Sequence, residues 1–368
     1  MIKVCHMTSA HRSMDVRVFK KECVSLAKAG YDVYLVAQGD SREENGVHVV
    51  GVEPVAGGRI SRMTQGAKRV YEKALELDAD VYHFHDAELF PYALKLKRKG
   101  KTVIFDSHEH TAVTILEKTW IPALFRTAIY VGYSWYEKYV CRRLDAIVTV
   151  TPDLTEFFKK INPCVTEITN YPMWQEDITM PTFVEKRFVF AGSIEAAWNH
   201  HRIIAAMERI PDSQYVICGL MDNAYHQQLQ EMPAWSQVNF LGRIPHAEVA
   251  KVLASGSVGM ALISPCRNTA WNYGTIGNTK IFEEMMAGLP VLCTNFVLWK
   301  AFVDRYQCGI CVDPDNDAEI ENALRYLIDH PEEARRMGEN GRRAIKEEFN
   351  WGVEEKKLFA LYEEIVKA

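Results

Sequence analysis

Short apolar runs alternate along the whole chain with longer stretches in which apolar residues return every three or four positions. IKVCHM, the stretch from Val16 to Ala29 and YDVYLVA open the series, in the strand, helix, strand order of a βαβ unit. Within the first helical stretch Phe19, Cys23, Leu26 and Ala27 share one face, and Gly30 follows where a left-handed cap ends a helix. The alternation continues through VYHFH, a helix ending near Gly100, TVIFD, a helical tract from about Leu116 to Cys141, and AIVTV. These strands are apolar at nearly every position, as in a parallel sheet covered on both faces.

After Asn170, Tyr171 and Pro172 the period is lost in MWQEDITMPTFVEK, and RFVFAGS opens a fresh strand. The same alternation then returns through RFVFAG, SQYVICG, VNFLG, VGMALI, PVLCT and GICV. The pattern predicts an α/β protein of two doubly wound, Rossmann-like domains, spanning 1–171 and 187–350 and joined by a linker over 172–186. The last helical stretch, 351–368, follows the final strand and is free to pack back on the first domain.

A length of 368 residues suits two domains, and 48% hydrophobic with 25% charged residues is the composition of a globular protein. The net charge of −5, with signs interspersed, excludes the basic field that nucleic-acid binding requires. MIKVCHMT lacks the features of a secretory signal, and no uncharged run has the length of a membrane span, so a cytoplasmic location is expected. The 9 cysteines lie mostly in apolar runs and read as packed thiols. Cys308 and Cys311 form a lone CxxC with no second pair nearby to complete a tetrahedral metal site.

In open parallel sheets ligands bind beyond the carboxyl ends of the strands, which directs attention to a few short stretches. Gly192 and Ser193 follow RFVFA, where glycine lets backbone approach a phosphate. TIGNTKIFEEMMAGLPVLCT carries more information, because it combines a helix start near Thr279 capped by Asn278 with a lysine and paired acids. Taken singly, Asn278 is a cap, Lys280 a solvated cation, and Glu283 with Glu284 a surface pair. Taken together with Thr275 and Gly277, they point amide donors and an ammonium at one place, suited to a pyrophosphate, with Glu283 a turn further along to accept from vicinal hydroxyls.

In the first half, Asp106, Ser107, His108 and Glu109 follow TVIF and crown the sheet. His83, His85 and Asp86 end another strand, but no matching carboxylate spacing identifies an ion there. Asp78 with Asp80, and Asp313 with Asp315, read as capping or solvated acids. Asp15 and Arg17 precede the first helix, where Arg17 either approaches phosphate or acceptor or pairs with Asp15. WIPALFRTAIYVGYSWYEKYVCRRL reads first as an amphipathic core helix and second as a docking element for an interface that holds a lipid-linked acceptor.

NTKIFEEMMAGLPV resembles the donor-binding segment of the family 4 (group 1) glycosyltransferases of GT-B fold. The resemblance extends from HMTSAHRSMDVRVFKKECVSLAKAGYDV through VVGVEPV and DSHEH to FNWGVEEKKLFALYEEI, nearly the whole chain. It implies two Rossmann-like domains with a cleft between them. It also implies transfer of a sugar from a UDP- or GDP-linked nucleotide sugar to a glycan or lipid-linked acceptor, with retention and without a metal or other cofactor. The setting implied is synthesis of surface polysaccharide or glycoconjugate, with peripheral contact at the inner membrane face.

By the same resemblance Glu283 matches the second of the family's paired glutamates, which holds the ribose, while Thr275 stands in place of the first. The family's arginine after the glycine is Ser193 here, and its lysine falls near Asn199. Lys280 and Arg202 are therefore expected to supply positive charge, with His200 and His201 as further substitutes. Arg243 lies in the loop resembling the one that faces the base, and backbone contacts of that kind do not separate uridine from guanosine donors. His108 matches the histidine beside the transferred sugar. The expected catalytic set is His108, Lys280 and Glu283, with Asp15, Arg17 and Glu109 on the acceptor side.

Two other readings stand beside this one. A nucleotide-sugar epimerase shares facing Rossmann domains, and a non-catalytic nucleotide-sugar-binding subunit is motivated by Thr275 and Ser193. A nicotinamide oxidoreductase is disfavoured, because no Gly-x-Gly-x-x-Gly follows either opening strand.

Overall fold

The computed structural model describes residues 1–116, 118, 121–183 and 185–367. The chain divides into two units, one formed by Met1–Asn170 with Trp351–Ala368, the other by Tyr171–Asn350.

The apolar runs of the first unit become strands β1 (Lys3–Arg12), β2 (Asp32–Gln38), β3 (Arg42–Glu44), β4 (Val47–Val52), β5 (Val81–Phe84), β6 (Thr102–Ser107), β7 (Ala146–Thr149) and β8 (Val165–Glu167). They form one sheet in the order β3-β4-β2-β1-β5-β6-β7-β8, parallel throughout except for the β3–β4 edge pair. The sheet grows outward in both directions from β1, so the strand order reverses between β1 and β5, where such sheets bind ligands. Register sets His6 of β1 directly beside His83 of β5.

Alternate side chains of these strands feed two cores. Cys5, Met7, Tyr82, Phe84 and Phe105 face one way. Val4, Val33, Leu35, Val81 and Ile104 face the other, where the helix Trp351–Lys367 packs through Trp351, Leu358, Leu361 and Tyr362. Burying four such side chains stabilises this helix on the sheet by roughly 6–12 kcal/mol as an upper bound. Trp351 Nε1 donates to Ser25 Oγ at 2.8 Å, and Thr169 N donates to Glu354 Oε2 at 2.8 Å.

The first helix opens as a π-helix, Val16–Cys23, before continuing as an α-helix, Val24–Lys28. Asp15 caps it by accepting from Arg17 N and Val18 N, each at 2.9 Å. The wider π turn re-aims side chains, and Arg17, Lys21 and Glu22 are buried alongside Phe19 and Cys23.

The tract expected to be helical from Leu116 differs. A short helix, Thr111–Thr114, precedes it, and the long helix begins at Ala123, after Pro122 fixes its N-cap. Glu117, Thr119 and Trp120 lie outside the described residues. The core assignment of this helix is also corrected: Leu124 is 86% exposed, Trp135 78%, Phe125 57% and Val131 50%, while Glu137, Val140 and Cys141 turn inward. The helix is apolar nearly all round, so periodicity alone did not say which face the sheet covers.

The second unit holds β9 (Arg187–Ala191), β10 (Gln214–Cys218), β11 (Val238–Phe240), β12 (Val258–Ala261), β13 (Val291–Thr294) and β14 (Gly309–Val312). All pairings are parallel, in the order β11-β10-β9-β12-β13-β14. This is the doubly wound dinucleotide-fold order, with its reversal between β9 and β12. Phe188, Phe190, Tyr215, Phe282 and Trp299 are among its largest fully buried side chains. Tyr171–Lys186 carries no strand or helix among its described residues.

Candidate active site

At the carboxyl ends of β1, β5 and β6 the first unit gathers polar residues that are distant along the chain. Asp106, fully buried near the end of β6, receives Arg17 Nε on Oδ2 at 2.8 Å and Arg17 Nη2 on Oδ1 at 2.9 Å. The same Oδ2 meets His85 Nδ1 at 3.1 Å and His108 Nε2 at 2.8 Å. Burial works against the charge on Asp106, but Arg17 and the bonds from His108 and His85 outweigh it and hold the carboxyl well below the usual carboxylate range. An ionised carboxylate only accepts, so both imidazoles face it through N–H. When neutral, His108 therefore carries its proton on Nε2 and a lone pair on Nδ1.

The remaining protons follow in one direction. His85 Nε2 accepts from His6 Nδ1 at 3.0 Å, and His6 Nε2 accepts from the Tyr362 hydroxyl at 3.4 Å. Tyr362 oxygen in turn accepts from His83 Nδ1 at 3.0 Å. Burial, the largest cause in each case, lowers the pKa of His6, His83 and His85, keeping all three neutral. Glu22 Oε1 lies 3.1 Å from Arg17 Nε, and its Oε2 lies 3.9 to 4.0 Å from nitrogens of His6, His83 and His85. Burial, then the charge of Asp106, push the Glu22 carboxyl well above its ordinary value.

Glu22, His83, His85 and Asp106 thus place ligand-type atoms within 4.8 Å of one another, a convergence that sequence spacing did not reveal. His83 and His85, two positions apart, turn toward one face, and the acids come from other elements. Arg17 Nε lies against both acids, 2.8 Å from Asp106 Oδ2 and 3.1 Å from Glu22 Oε1, so a guanidinium already sits at this cluster.

Arg17 therefore does not line the rim as an acceptor-side residue, and its side chain pairs with Asp106 rather than Asp15. Asp15 stays at the rim, where its Oδ2 lies 3.4 Å from His11 Nδ1. Glu109 has an exposed side chain, and its carbonyl accepts from Ser107 Oγ at 3.2 Å and Thr111 N at 2.9 Å. Asp86 Oδ2 accepts from Thr8 Oγ1 at 2.8 Å, Ser9 N at 2.7 Å and Ala10 N at 3.1 Å, fixing the C-terminal half of β1. His11, which sequence reasoning missed, stands with its ring centroid 4.9 Å from that of His108.

In the second unit the helix Thr279–Met286 starts where Asn278 caps it, with Asn278 Oδ1 accepting from Lys280 N at 3.1 Å. Thr275 Oγ1 accepts from Gly277 N at 3.1 Å, and Thr275 O accepts from Trp299 Nε1 at 2.7 Å, so the residue replacing the family's first glutamate orders the approach to the helix. The Lys280 stem lies across Gly192: a Cβ at 192 would stand 2.0 Å from Lys280 Cε and 3.2 Å from Nζ. Lys280 Nζ is 4.6 Å from the ring centroid of Trp198. Burial lowers its pKa, opposed by Glu283, Glu284 and Glu195. The loops after β9 and β10 touch as closely: a Cβ at Gly219 would stand 1.7 Å from Gly192 O.

Lys280, Gly192, Asn278, Thr275 and Gly277 are thus assembled at this edge, and Glu283 is half-buried one turn along the helix. Glu284 is instead buried, with Gly259 of β12 leaving room for its carboxyl. Ser193 and Arg243 are exposed in the loops after β9 and β11. The other expected cations are engaged elsewhere. Arg202 binds Asp315 Oδ1 at 2.9 Å and Asp317 Oδ1 at 2.6 Å. His200 faces Tyr215 in the core at 2.9 Å, with burial lowering its pKa to about 3. His201 meets the Tyr225 hydroxyl at 3.3 Å. Asn199, in the left-handed region at φ 53°, bonds Ser264 Oγ at 3.0 Å and so ties the loop after β9 to the one after β12. That second loop also holds Ala270 at φ 49° and Trp271 at φ 55°, strained positions that no sequence signal marks.

Two family descriptions match the chain: Glycosyltransferase Family 4 over residues 16–168, and Glycosyl transferases group 1 over residues 183–344. Glycogen synthase of Mycobacterium tuberculosis is 22% identical over 288 residues, 74% of this chain, which spans 66% of that protein's length. The MMP alpha-(1->4)-mannosyltransferase of Mycolicibacterium hassiacum is 32% identical over 85 residues, covering 23% of this chain and 21% of that protein. Among solved structures, sucrose-phosphate synthase from Thermosynechococcus elongatus superimposes with a TM-score of 0.76 at 16% identity, covering 100% of both chains. Anabaena Alr3699/HepE in complex with UDP-glucose does so with a TM-score of 0.69 at 13% identity, again covering 100% of both. With two doubly wound, mainly parallel sheets and family matches over both halves, the chain belongs to the group 1, family 4 glycosyltransferases and has the GT-B fold.

Proposed function

We propose that this protein transfers a sugar from a UDP- or GDP-linked donor to a glycan or lipid-linked acceptor, retaining the anomeric configuration and using no metal ion. The observation that carries this reading is Lys280, laid over Gly192 at the first turn of the helix Asn278 caps. Departure of a nucleoside diphosphate builds negative charge on its phosphate oxygens, which one half-buried ammonium and the amides of a helix start stabilise. Glu283, one turn along, accepts from the ribose hydroxyls, and Arg243 lies in the loop that faces the base. A relative solved with UDP-glucose, Anabaena Alr3699/HepE, supports a donor of this class.

On the first unit, His108 offers its Nδ1 lone pair to a hydroxyl of the transferred sugar, while Asp106 holds its other nitrogen. Asp15 and Glu109 lie toward the acceptor. The acceptor oxygen forms its bond to the anomeric carbon as the bond to phosphate breaks on the same face, and the departing phosphate oxygen takes the acceptor proton. Products are the glycosylated acceptor and a nucleoside diphosphate. A reading without a metal ion is supported by Arg17, which already pairs with the ionised Asp106 of the first unit. Synthesis of surface polysaccharide or glycoconjugate on the cytoplasmic side of the membrane is the setting we assign.

The test is a screen of UDP- and GDP-sugars for binding and for acceptor-dependent release of UDP or GDP in the presence of a chelator. Lys280→Ala should lower turnover by about 10²–10³, and Glu283→Ala should abolish donor binding. An altered nucleotide sugar formed without acceptor would establish the epimerase reading instead. Tight donor binding without any transfer would leave a binding subunit.

A further inference from the structure

Two successive residues other than glycine, Ala270 at φ 49° and Trp271 at φ 55°, occupy the left-handed region in the loop after β12. The loop holds them there: Trp271 N donates to Cys266 O at 2.8 Å, and Thr269 Oγ1 accepts from Cys266 N at 2.9 Å. Gly274, at φ 88°, lies flat on Phe296, where a Cβ would stand 2.5 Å from that side chain. The loop so built displays two aromatic side chains, Trp271 at 59% and Tyr273 at 44% exposure. Burial does not offset the strain, since the indole faces solvent, and strain of this kind gathers at ligand sites. We propose that Trp271 and Tyr273 line the donor site and pack on the C–H face of the transferred sugar. They would be specificity-determining residues of the reaction proposed above, on which this inference rests.

Both ends of the loop lie at Lys280. At its start Ser264 N donates to Ala197 O at 2.8 Å, and the neighbouring Trp198 ring faces Lys280 Nζ at 4.6 Å. At its end Thr275, Gly277 and Asn278 lead into the helix whose second residue is Lys280. Along the sheet, β9, which leads to Gly192, stands between β10 and β12, and β11, whose loop carries Arg243, lies beyond β10. The two rings are therefore on the far side of the phosphate-suited edge from the loop assigned to the base. A nucleotide sugar runs from base through ribose and diphosphate to sugar, so the group reaching past the diphosphate is the sugar. The chemistry of the segment agrees. Residues 263–279 contain no acid, and Thr275 Oγ1 already accepts from Gly277 N at 3.1 Å. The loop thus offers the sugar aromatic faces rather than a carboxylate, and the C–H bonds on one face of a pyranose pack on a ring as apolar surface.

Calorimetric titration of the full chain compares UDP-glucose, UDP-N-acetylglucosamine, GDP-mannose and GDP-fucose with UDP and GDP. Trp271→Ala should weaken the nucleotide sugar that wild type binds by about tenfold and change the affinity for its nucleoside diphosphate less than about twofold. Tyr273→Ala should act in the same direction, while Trp271→Phe keeps a ring and should retain most of the affinity. Donor binding should change tryptophan emission beyond the change that UDP or GDP produces, and Trp271→Phe should abolish the difference. Trp271→Gly separates display from folding: glycine accepts the left-handed conformation, so the melting temperature should not fall while sugar affinity falls as in Trp271→Ala. Equal loss of nucleotide sugar and nucleoside diphosphate would put the rings at base or ribose and overturn the inference. So would unchanged donor affinity, a raised KM for the acceptor alone, or a clear fall in the melting temperature of Trp271→Gly. A wild type that binds none of these nucleotides overturns the proposed donor class together with the inference, whereas donor binding that both alanine variants leave intact overturns the inference alone.

Discussion

His108 Nε2 lies 2.8 Å from Asp106 Oδ2, the oxygen that also receives Arg17 Nε. The orientation of a half-exposed histidine is therefore fixed by an ion pair in the core of the first unit. Replacing Asp106 with Asn leaves Arg17 buried beside Glu22 alone and is expected to cost about 3–5 kcal/mol, measured by urea denaturation. In the native protein, ¹⁵N spectra of His108 at pH 8 should show the proton on Nε2; a proton on Nδ1 would remove the hydrogen-bond role assigned to that atom.

The three buried imidazoles predict an acid-sensitive first unit. Burial lowers the pKa of His6, His83 and His85, so each stays neutral when folded but takes a proton near pH 6.5 when unfolded. Their contribution is present above that pH and lost as pH falls. Glu22, raised by burial, acts oppositely, because its folded form keeps a proton that the unfolded chain has lost. Glu137, whose folded form also keeps a proton in this range, adds to Glu22 in offsetting part of the three imidazoles, so the net effect is a moderate loss of stability as pH falls below about 6.5. Urea midpoints measured from pH 7 to 5 should fall, and in a Glu22→Gln, Glu137→Gln background they should fall more; no fall in that background would contradict the neutral assignment.

Glu137 predicts a change of the other sign. Burial raises its pKa from 4.5 to about 7, so its stability contribution is complete below 4.5 and lost as pH rises through about 7. Glu137→Gln removes the ionisable group and should stabilise the protein by about 3 kcal/mol at pH 8, with almost no effect at pH 4. Paired thermal melts at the two pH values check this.

Gly192 and Gly219 are predicted to fail differently. A Cβ at 192 meets the flexible Lys280 side chain, so Gly192→Ala should displace the ammonium and weaken nucleotide binding at least about tenfold, with a stability cost from the positive φ alone. A Cβ at 219 meets backbone, the carbonyl of Gly192, so Gly219→Ala should cost more than about 2 kcal/mol of stability as well. Thermal shift with and without UDP separates the two.

Much of the fold was legible because parallel strands covered on both faces leave unbroken apolar runs, and VYHFH or PVLCT announce themselves. Strand order was not, since it depends on contacts between distant segments. The donor-side motif was legible for the same local reason: Asn278, Lys280 and Glu283 lie within one and a half turns of a single helix start. The histidine cluster was hidden because His6 and Tyr362 stand 356 positions apart and because a π turn, which 3.6-residue periodicity does not describe, swings Arg17 and Glu22 inward. Arg202 was misread since the acids that engage it, Asp315 and Asp317, sit beyond five intervening strands.

The helix Trp351–Lys367 follows the second unit in the chain, yet its Trp351, Leu358, Leu361 and Tyr362 cover the sheet that precedes that unit. On a ribosome, β1 to β8 emerge and then wait for the whole of Tyr171–Asn350, roughly ten to forty seconds at ordinary elongation rates. Through that interval Val4, Leu35, Val81 and Ile104 lack their cover, while the second unit, contiguous in the chain, has everything it needs. The order of maturation thus runs against the order of translation, and the nascent N-terminal sheet is the segment most in need of chaperone protection.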